Sequence, residues 1–172
     1  MCFKKDEDKI KVVDDFKLLG CSGAQADNVA FTEYVSKNVA LYELNNGLPL
    51  STHACSNFIR GELATALRKG PYQTNLLLGG FDGAAGPSLY FLDHLASSNK
   101  VNFGCHGHAS NFVLSILDRE WTAGLSEAQG LAIMKKCIDE LQVRYLVHMP
   151  KFTLKIVDKS GVRVLDQPAL GP

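Results

Sequence analysis

The spacing of apolar and polar residues changes several times along the chain, and each change predicts a new element. Residues 74–95 contain two apolar runs separated by Asp82-Gly-Ala-Ala-Gly-Pro87. The glycines and the proline of this segment favour a turn. This pattern predicts an antiparallel hairpin. Because neither arm has a clean polar face, we expect the hairpin to be covered on both sides.

The flanking segments repeat two further patterns. Apolar residues alternate around turns at residues 9–20 and 152–165, which predicts two more hairpins. Between the hairpins, apolar residues recur every three or four positions, which predicts two pairs of helices. The predicted helices begin at Ser22-Gly-Ala-Gln25, at Ser51, at Gly107 and at Ser126-Glu-Ala-Gln129, and they end near Gly47, Lys69, Arg119 and Tyr145. A linker through Asn102 leads from the central hairpin to the third helix.

All four predicted helices have an apolar stripe that we expect to face inward. The predicted stripes are Val29, Phe31, Tyr34, Val35, Val39 and Tyr42 in the first helix, Cys55, Phe58, Ile59, Leu63, Ala66 and Leu67 in the second, Phe112, Val113, Ile116 and Leu117 in the third, and Leu131, Met134, Ile138, Leu141 and Tyr145 in the fourth.

The order of elements is hairpin, two helices, hairpin, two helices, hairpin. No linker is long enough to divide the chain, so residues 1–172 are predicted to form a single domain. Hairpins that alternate with helix pairs indicate an α+β fold. The simplest arrangement is a four-layer αββα sandwich of helices, sheet, sheet and helices.

Composition excludes several classes of function. The 18 Lys and Arg residues balance the 18 Asp and Glu residues, so there is no basic surplus for binding nucleic acid. The apolar runs are too short to span a bilayer, and the polar start is not a signal peptide. Five scattered cysteines without a Cys-x-x-Cys pair favour free thiols in a reducing compartment, the cytosol or the nucleus.

One short segment is a candidate for a reactive or metal-binding site. His106-Gly107-His108 follows Cys105, but zinc needs three or four convergent ligands and the chain offers no second ligand pair at normal spacing. We therefore predict no metal and no cofactor, and expect these histidines in a turn or a subunit contact. Cys105 beside His106 is disfavoured as a thiol nucleophile, because sequence neighbours point apart on a turn. Gly79-Gly80 lacks a following Lys-Ser/Thr, which favours close backbone packing over phosphate binding.

Several long stretches also match a known family in order. They are residues 31–42, 75–82, 86–95, 106–107 leading into 114–119, and 137–142. Through them the chain resembles, from about Lys9 to Asp166, the β-type subunits of the eukaryotic 20S proteasome core. The similarity is greatest to the non-catalytic fourth β position.

This resemblance implies the αββα fold of the N-terminal nucleophile hydrolases. Members of the family begin with two further strands, the first of which carries the threonine nucleophile at its mature N-terminus. The present sequence starts after both strands. We therefore expect an N-terminally truncated sequence, since a sheet that truly lacked these strands would expose apolar faces and unpaired edges.

The resemblance also implies that the site is incomplete. In catalytic relatives the threonine is activated by a lysine, an aspartate, and a supporting serine and aspartate. Lys9 falls at the lysine position, whereas His108 replaces the serine. The region of the second aspartate and its serine corresponds to about Tyr145 and His148. We expect the chain to be inert as a peptidase, with Lys9 solvated or paired with an acid.

The function implied is that of a non-catalytic structural β subunit. Its expected partners are other β subunits and α subunits, which assemble a chamber that degrades unfolded, ubiquitin-tagged polypeptides in the cytoplasm and nucleus. One alternative is a threonine-type amidohydrolase whose nucleophile lies in the missing N-terminal segment; Lys9 supports it and His108 opposes it. Another is a stand-alone metal-binding module that uses the His106/His108 turn.

Overall fold

A computed structural model describes residues 8–145 and 152–165, which contain seven strands and four helices. The elements in chain order are β1 (Ile10–Asp14), β2 (Lys17–Gly23), α1 (Gln25–Asn46), α2 (Thr52–Ala66), β3 (Thr74–Asp82), β4 (Gly86–Leu92), β5 (Ser98–Val101), α3 (Ser110–Glu120), α4 (Glu127–Arg144), β6 (Leu154–Asp158) and β7 (Gly161–Leu165).

Strands β1 to β5 form one antiparallel sheet in sequence order. The predicted hairpin of residues 74–95 supplies its central strand β3 and its neighbour β4. The expected linker after this hairpin was wrong, because its residues 98–101 form β5 on the open edge of β4. This short polar stretch has no apolar alternation of its own, so only the unpaired edge of β4 selects the extended form.

Helices α1 and α2 cover one face of this sheet. Alternate residues of β3 point toward them and are fully buried, as expected for a strand with period two. Gly80 belongs to this face, and a Cβ added to it would lie 2.3 Å from Thr52 Oγ1. The prediction of close packing is therefore confirmed at Gly80. The core under the helices consists of Leu19, Phe31, Val35, Val39, Cys55, Ile59, Leu63, Leu76, Leu78 and Leu92.

The other face of the sheet meets the two-stranded sheet of β6 and β7. β6 packs beside β3, and β7 packs beside β2. The two terminal hairpins are joined by a hydrogen bond of 2.9 Å from the Val162 amide of β7 to the carbonyl of Asp15, in the turn between β1 and β2. The central hairpin thus has cover on both faces.

Helices α3 and α4 pack against each other around a second apolar cluster. Phe152, just before β6, contacts this cluster, and Arg163 of β7 forms an ion pair with Glu127 at the start of α4. The order helices, sheet, sheet, helices confirms the predicted α+β sandwich of the N-terminal nucleophile hydrolase type. The prediction of a single domain stays a prediction.

Two of the three predicted serine caps are confirmed. Ser51 Oγ accepts a hydrogen bond from the Ala54 amide at 3.2 Å, and Ser126 forms a full capping box with Gln129. The cap at Ser22 was wrong, because Ser22 lies in β2 opposite Asn75 and α1 begins only at Gln25. Pairing with β3 holds Ser22 extended, and a strand residue cannot also cap a helix.

The inward stripes were partly wrong. Val29, Tyr34 and Tyr42 are 41%, 41% and 43% exposed, and Met134 is 41% exposed. A helix that packs against its neighbours on one side buries only a narrow face, so the outer members of a wide stripe stay in solvent. The residues buried instead are Thr32 in α1 and Ile133 and Cys137 in α4.

Candidate functional site

Lys9 lies immediately before β1, and its side chain is exposed. Its carbonyl accepts a hydrogen bond of 2.8 Å from the Cys21 amide, which extends the β1–β2 ladder by one step. The two residues that flank Lys9 both accept hydrogen bonds from a side chain of β6. Lys155 Nζ donates to Asp8 Oδ2 and to the Ile10 carbonyl, each at 2.5 Å.

Lys155 is a residue that the sequence did not single out. Its side chain is only 7% exposed, and its carboxylate partner Asp8 is 147 residues away in the sequence. Burial acts to raise the pKa of Asp8, but hydrogen bonds from Lys155 and the Ile10 amide and the charge of Lys155 leave that pKa below its usual value. Lys155 therefore joins the second sheet to the segment that carries Lys9.

His108 lies in a turn and not in a helix. The predicted start of the third helix at Gly107 was wrong, since α3 begins at Ser110. Gly107 has φ of 80°, a left-handed conformation that suits glycine, and its carbonyl accepts bonds from the Ser110 amide and hydroxyl at 3.2 and 2.7 Å. These bonds make a tight turn and leave the His108 side chain exposed.

The structure brings the Lys9 segment and the His108 turn to the same end of β2. The Cys21 amide bonds to Lys9, and the Oγ of the next residue, Ser22, is 3.3 Å from where a Cβ on Gly107 would lie. The segments that carry the two positions matched to the family's lysine and serine therefore both contact the end of β2, although about 100 residues separate the two positions.

His106 has a structural role within this turn. Its Nε2 lies 3.0 Å from the Leu76 carbonyl, which can only accept, so Nε2 carries the proton. Its ring stacks on Phe91 with centroids 4.0 Å apart. Burial lowers the pKa of His106, and bonds to the Leu76 and Leu92 carbonyls oppose that shift. His106 therefore anchors the turn to the central sheet.

The remaining candidates do not complete a reactive centre. Burial raises the pKa of Cys105, which is the opposite of what activates a thiol nucleophile. Tyr145 caps α4, and its ring packs edge-on against Phe112 at 6.0 Å. His148 lies outside the described residues. Within residues 8–145 and 152–165, no group of three or more His, Cys, Asp or Glu side chains is placed to hold a metal ion.

A second feature is a set of exposed apolar side chains at the C-terminal end of α1 and just after it. Leu44 and Leu48 are 82% and 68% exposed, and Leu41 and Tyr42 line a groove of about 410 Å³ between α1 and the start of α2. Exposed apolar side chains that lie near one another in sequence, beside an apolar groove, are typical of protein contacts. No helix in the described part of the chain is both long and apolar enough to cross a membrane.

Comparison with known proteins identifies the family of the chain. Residues 1–157 match the Proteasome family, described as proteasome subunit. Proteasome subunit beta type-2 of Dictyostelium discoideum is 50% identical over 165 residues, which cover 94% of this chain and 83% of the relative. Proteasome subunit beta type-2-A of Arabidopsis thaliana is 49% identical over 160 residues, covering 93% and 78%.

A more distant relative gives the same result. Proteasome subunit beta type-2 of Trypanosoma brucei brucei is 41% identical over 167 residues, which cover 91% of this chain and 81% of the relative. The chain therefore belongs to the proteasome subunit family, and within it to the eukaryotic subunits that resemble beta type-2.

Proposed function

We propose that this chain serves as a non-catalytic structural β subunit of the 20S proteasome core. The observation that carries the proposal is the similarity to beta type-2 subunits at 41–50% identity over more than nine tenths of the chain. A subunit of the 20S core assembles with other β subunits and with α subunits. Its part in ubiquitin-dependent protein degradation is to complete the ring and the chamber wall.

Two features of the site support the absence of peptidase chemistry in this subunit. A histidine stands at the serine position of the family, and that His108 side chain is exposed on its turn. Activation of a hydroxyl nucleophile needs a base and an orienting group within hydrogen-bond reach. Lys9 keeps the residue type of the family's lysine position, but with His108 at the serine position the supporting hydroxyl is missing there.

The exposed apolar side chains at the C-terminal end of α1 and just after it support the assembly role. Leu44, Leu48 and Leu41 together present a surface whose burial against a partner would release apolar area from water. Burying one such side chain contributes on the order of 1.5–3 kcal/mol, so a contact over this surface would favour association. We propose the cytoplasm and the nucleus as the compartments where the chain assembles.

The test is to tag the chain at its C-terminus, purify it from cells under native conditions and measure the mass of what is recovered. We expect a particle of many subunits that contains α and β proteasome subunits. Recovery of the chain as a lone monomer would contradict the proposal.

A second candidate function is a threonine-type amidohydrolase, and the retained Lys9 is the observation that favours it. An electrophilic probe that reacts with N-terminal threonine separates the two functions in the same particle. If the chain is non-catalytic, the probe labels neighbouring β subunits and leaves this one unlabelled. Labelling of this chain would favour the hydrolase.

A further inference from the structure

Two buried hydroxyl oxygens, Oγ1 of Thr52 and Oγ of Ser88, have no hydrogen-bond partner among the described residues. Thr52 is the first residue of α2 and is fully buried, and Ser88 lies in β4. A buried hydroxyl without a partner is costly, so such oxygens are normally bonded to protein or to ordered water. Two of them near each other therefore point to a shared ligand.

Both oxygens lie beside Gly80 of β3. A Cβ on Gly80 would lie 2.3 Å from Thr52 Oγ1, so this oxygen sits directly over the Gly80 position. Ser88 is the residue opposite Gly80 in β4, and directly opposite residues have Cβ positions about 4.5–5.5 Å apart. The Ser88 Cβ therefore lies within about 8 Å of Thr52 Oγ1, a range in which one bridging water fits between the two oxygens.

The Ser88 side chain lies on the face of the sheet that α1 and α2 cover. Side chains alternate along a strand, so Ser88 faces the same way as Tyr90, two residues further on. Tyr90 is buried in the core under these helices, and its hydroxyl lies 3.2 Å from Nδ1 of His53, the second residue of α2. Ser88 Oγ therefore faces the start of α2, where Thr52 lies.

Lys17 borders the same position from the other side. It lies opposite Gly80 in β2 and is only 2% exposed. Its ammonium has three N–H donors, and among the described residues it donates to Asp14 Oδ2, at 2.8 Å. The buried ammonium thus has donors left for a further acceptor.

The charges around the start of α2 favour a neutral ligand. The carboxylate of Asp82 accepts a bond of 3.0 Å from the Thr52 amide, so it already occupies the positive end of this helix. The charges of Lys17, Asp14 and Asp82 all act on the pKa of Cys55, one turn further along α2, so the three groups surround this helix start. Two carboxylates oppose a bound anion, and a buried ammonium opposes a bound metal cation.

We propose that one buried water is bound beside Gly80, where it exchanges hydrogen bonds with Thr52 Oγ1 and Ser88 Oγ and accepts one from Lys17 Nζ. Three polar partners are typical of a buried water, and each hydroxyl can donate to it or accept from it. The water links the start of α2 to β2 and β4, as Asp82 links it to β3.

The direct test is a density map of the full chain in its native complex, from electron cryo-microscopy at a resolution that shows ordered waters. We expect a peak about 2.7–2.8 Å from both hydroxyl oxygens. The inference is overturned if the side chains of Thr52 and Ser88 are clear and no such peak lies between them. A direct bond between the two hydroxyls overturns it as well.

A second test uses Thr52→Val, which keeps the shape of the side chain and removes Oγ1. With a bound water, this change breaks a hydrogen bond and lowers the urea midpoint of the purified full chain. The matched control is Thr74→Val, because Thr74 is also fully buried and its hydroxyl donates to Asn28 Oδ1 at 2.6 Å. Both variants should lower the midpoint. A midpoint that is unchanged or raised in Thr52→Val alone would mean that its hydroxyl has no partner, and the water is then ruled out.

Ser88→Ala completes a double-variant cycle with Thr52→Val. Because the two hydroxyls share one water, the double variant should lose less in urea midpoint than the two single losses together. Strictly additive losses would contradict a shared ligand.

Discussion

Gly80 lies directly beneath the first residue of α2, and replacing it with alanine should destabilise the fold. The backbone at Gly80 is not left-handed, so alanine would not be strained there by its dihedral angles. The obstacle is space, because the new Cβ would lie 2.3 Å from Thr52 Oγ1 and 2.8 Å from Thr52 Cγ2. Thr52 is fully buried, and its amide is bonded to Asp82 at 3.0 Å.

The expected magnitude follows from two opposing effects. Overpacking of a buried site costs about 1–3 kcal/mol. Replacing glycine by alanine returns about 0.4–1 kcal/mol, because the unfolded chain loses freedom. The free energy of unfolding should therefore fall by about 1–2 kcal/mol in Gly80→Ala, which for a chain of this length lowers Tm by roughly 2–4 °C per kcal/mol.

The companion change is Thr52→Ala, which removes the two nearest atoms and leaves only the β-carbon of residue 52, at 3.1 Å. It gives up a methyl group worth about 0.8 kcal/mol, but it also removes a buried hydroxyl that has no hydrogen-bond partner among the described residues. We expect the double variant Gly80→Ala/Thr52→Ala to be more stable than Gly80→Ala alone. The coupling energy should lie within about 0.5–3 kcal/mol, as for residues in contact.

The assay is urea unfolding of the purified full chain, followed by far-ultraviolet circular dichroism and by the fluorescence of Trp121, the sole tryptophan. The matched control is Gly79→Ala, whose Cβ would meet only Leu89 Cδ1 at an ordinary 3.8 Å. The reasoning is refuted if Gly80→Ala is as stable as Gly79→Ala, or if Thr52→Ala gives no rescue. Coincident transitions of the two probes would support the single-domain prediction, and two separate transitions would contradict it.

Further predictions follow from the caps and the acidic groups. Ser126→Ala should lower the free energy of unfolding by about 0.5–2 kcal/mol, because it removes a capping box. Ser22→Ala, in the same Ser-x-x-Gln spacing, should cost clearly less, because Ser22 caps no helix. Equal losses in urea unfolding would contradict the conclusion that only Ser126 is a cap. Hydrogen bonds from Ser160, joined by Arg163, lower the pKa of Asp158 from 3.8 to about 2. A carboxyl with a depressed pKa stabilises the fold above its unfolded value and loses that contribution as the pH falls toward its folded value. Asp158→Asn should therefore flatten the dependence of the urea midpoint on pH between 3.8 and about 2, and an unchanged slope would show that these bonds do not form.

The sequence was sufficient to predict those elements whose conformation depends on a few neighbouring residues. The turn of residues 82–87 separates two apolar runs, and β3 and β4 formed around it as predicted. The cap at Ser51 and the stop at Gly47, with φ of 68°, depend in the same way on hydrogen bonds within one turn of chain. The family resemblance of the Lys9 and His108 positions was likewise readable from the sequence.

The candidate site could be predicted only in part. The family resemblance predicted Lys9 and His108 as candidate positions, and only the structure shows that the segments carrying them both contact the end of β2. Lys155 gave no signal, because its role comes from a carboxylate 147 residues away. His106 was recognised as part of a turn, yet its function as an anchor depends on a carbonyl of β3.

The amino-acid sequence by itself determined the class of the fold, the central hairpin and most helix ends, because these depend on residue spacing and turn chemistry over a few positions. The tertiary structure decided the conformation where the local sequence was compatible with more than one. Ser22 and Ser126 begin the same Ser-x-x-Gln pattern, but only Ser126 caps a helix, because the ladder to β3 holds Ser22 extended. Residues 98–101 became a strand for a similar reason, since the hydrogen-bonding edge that pairs them belongs to β4 and lies outside their own sequence.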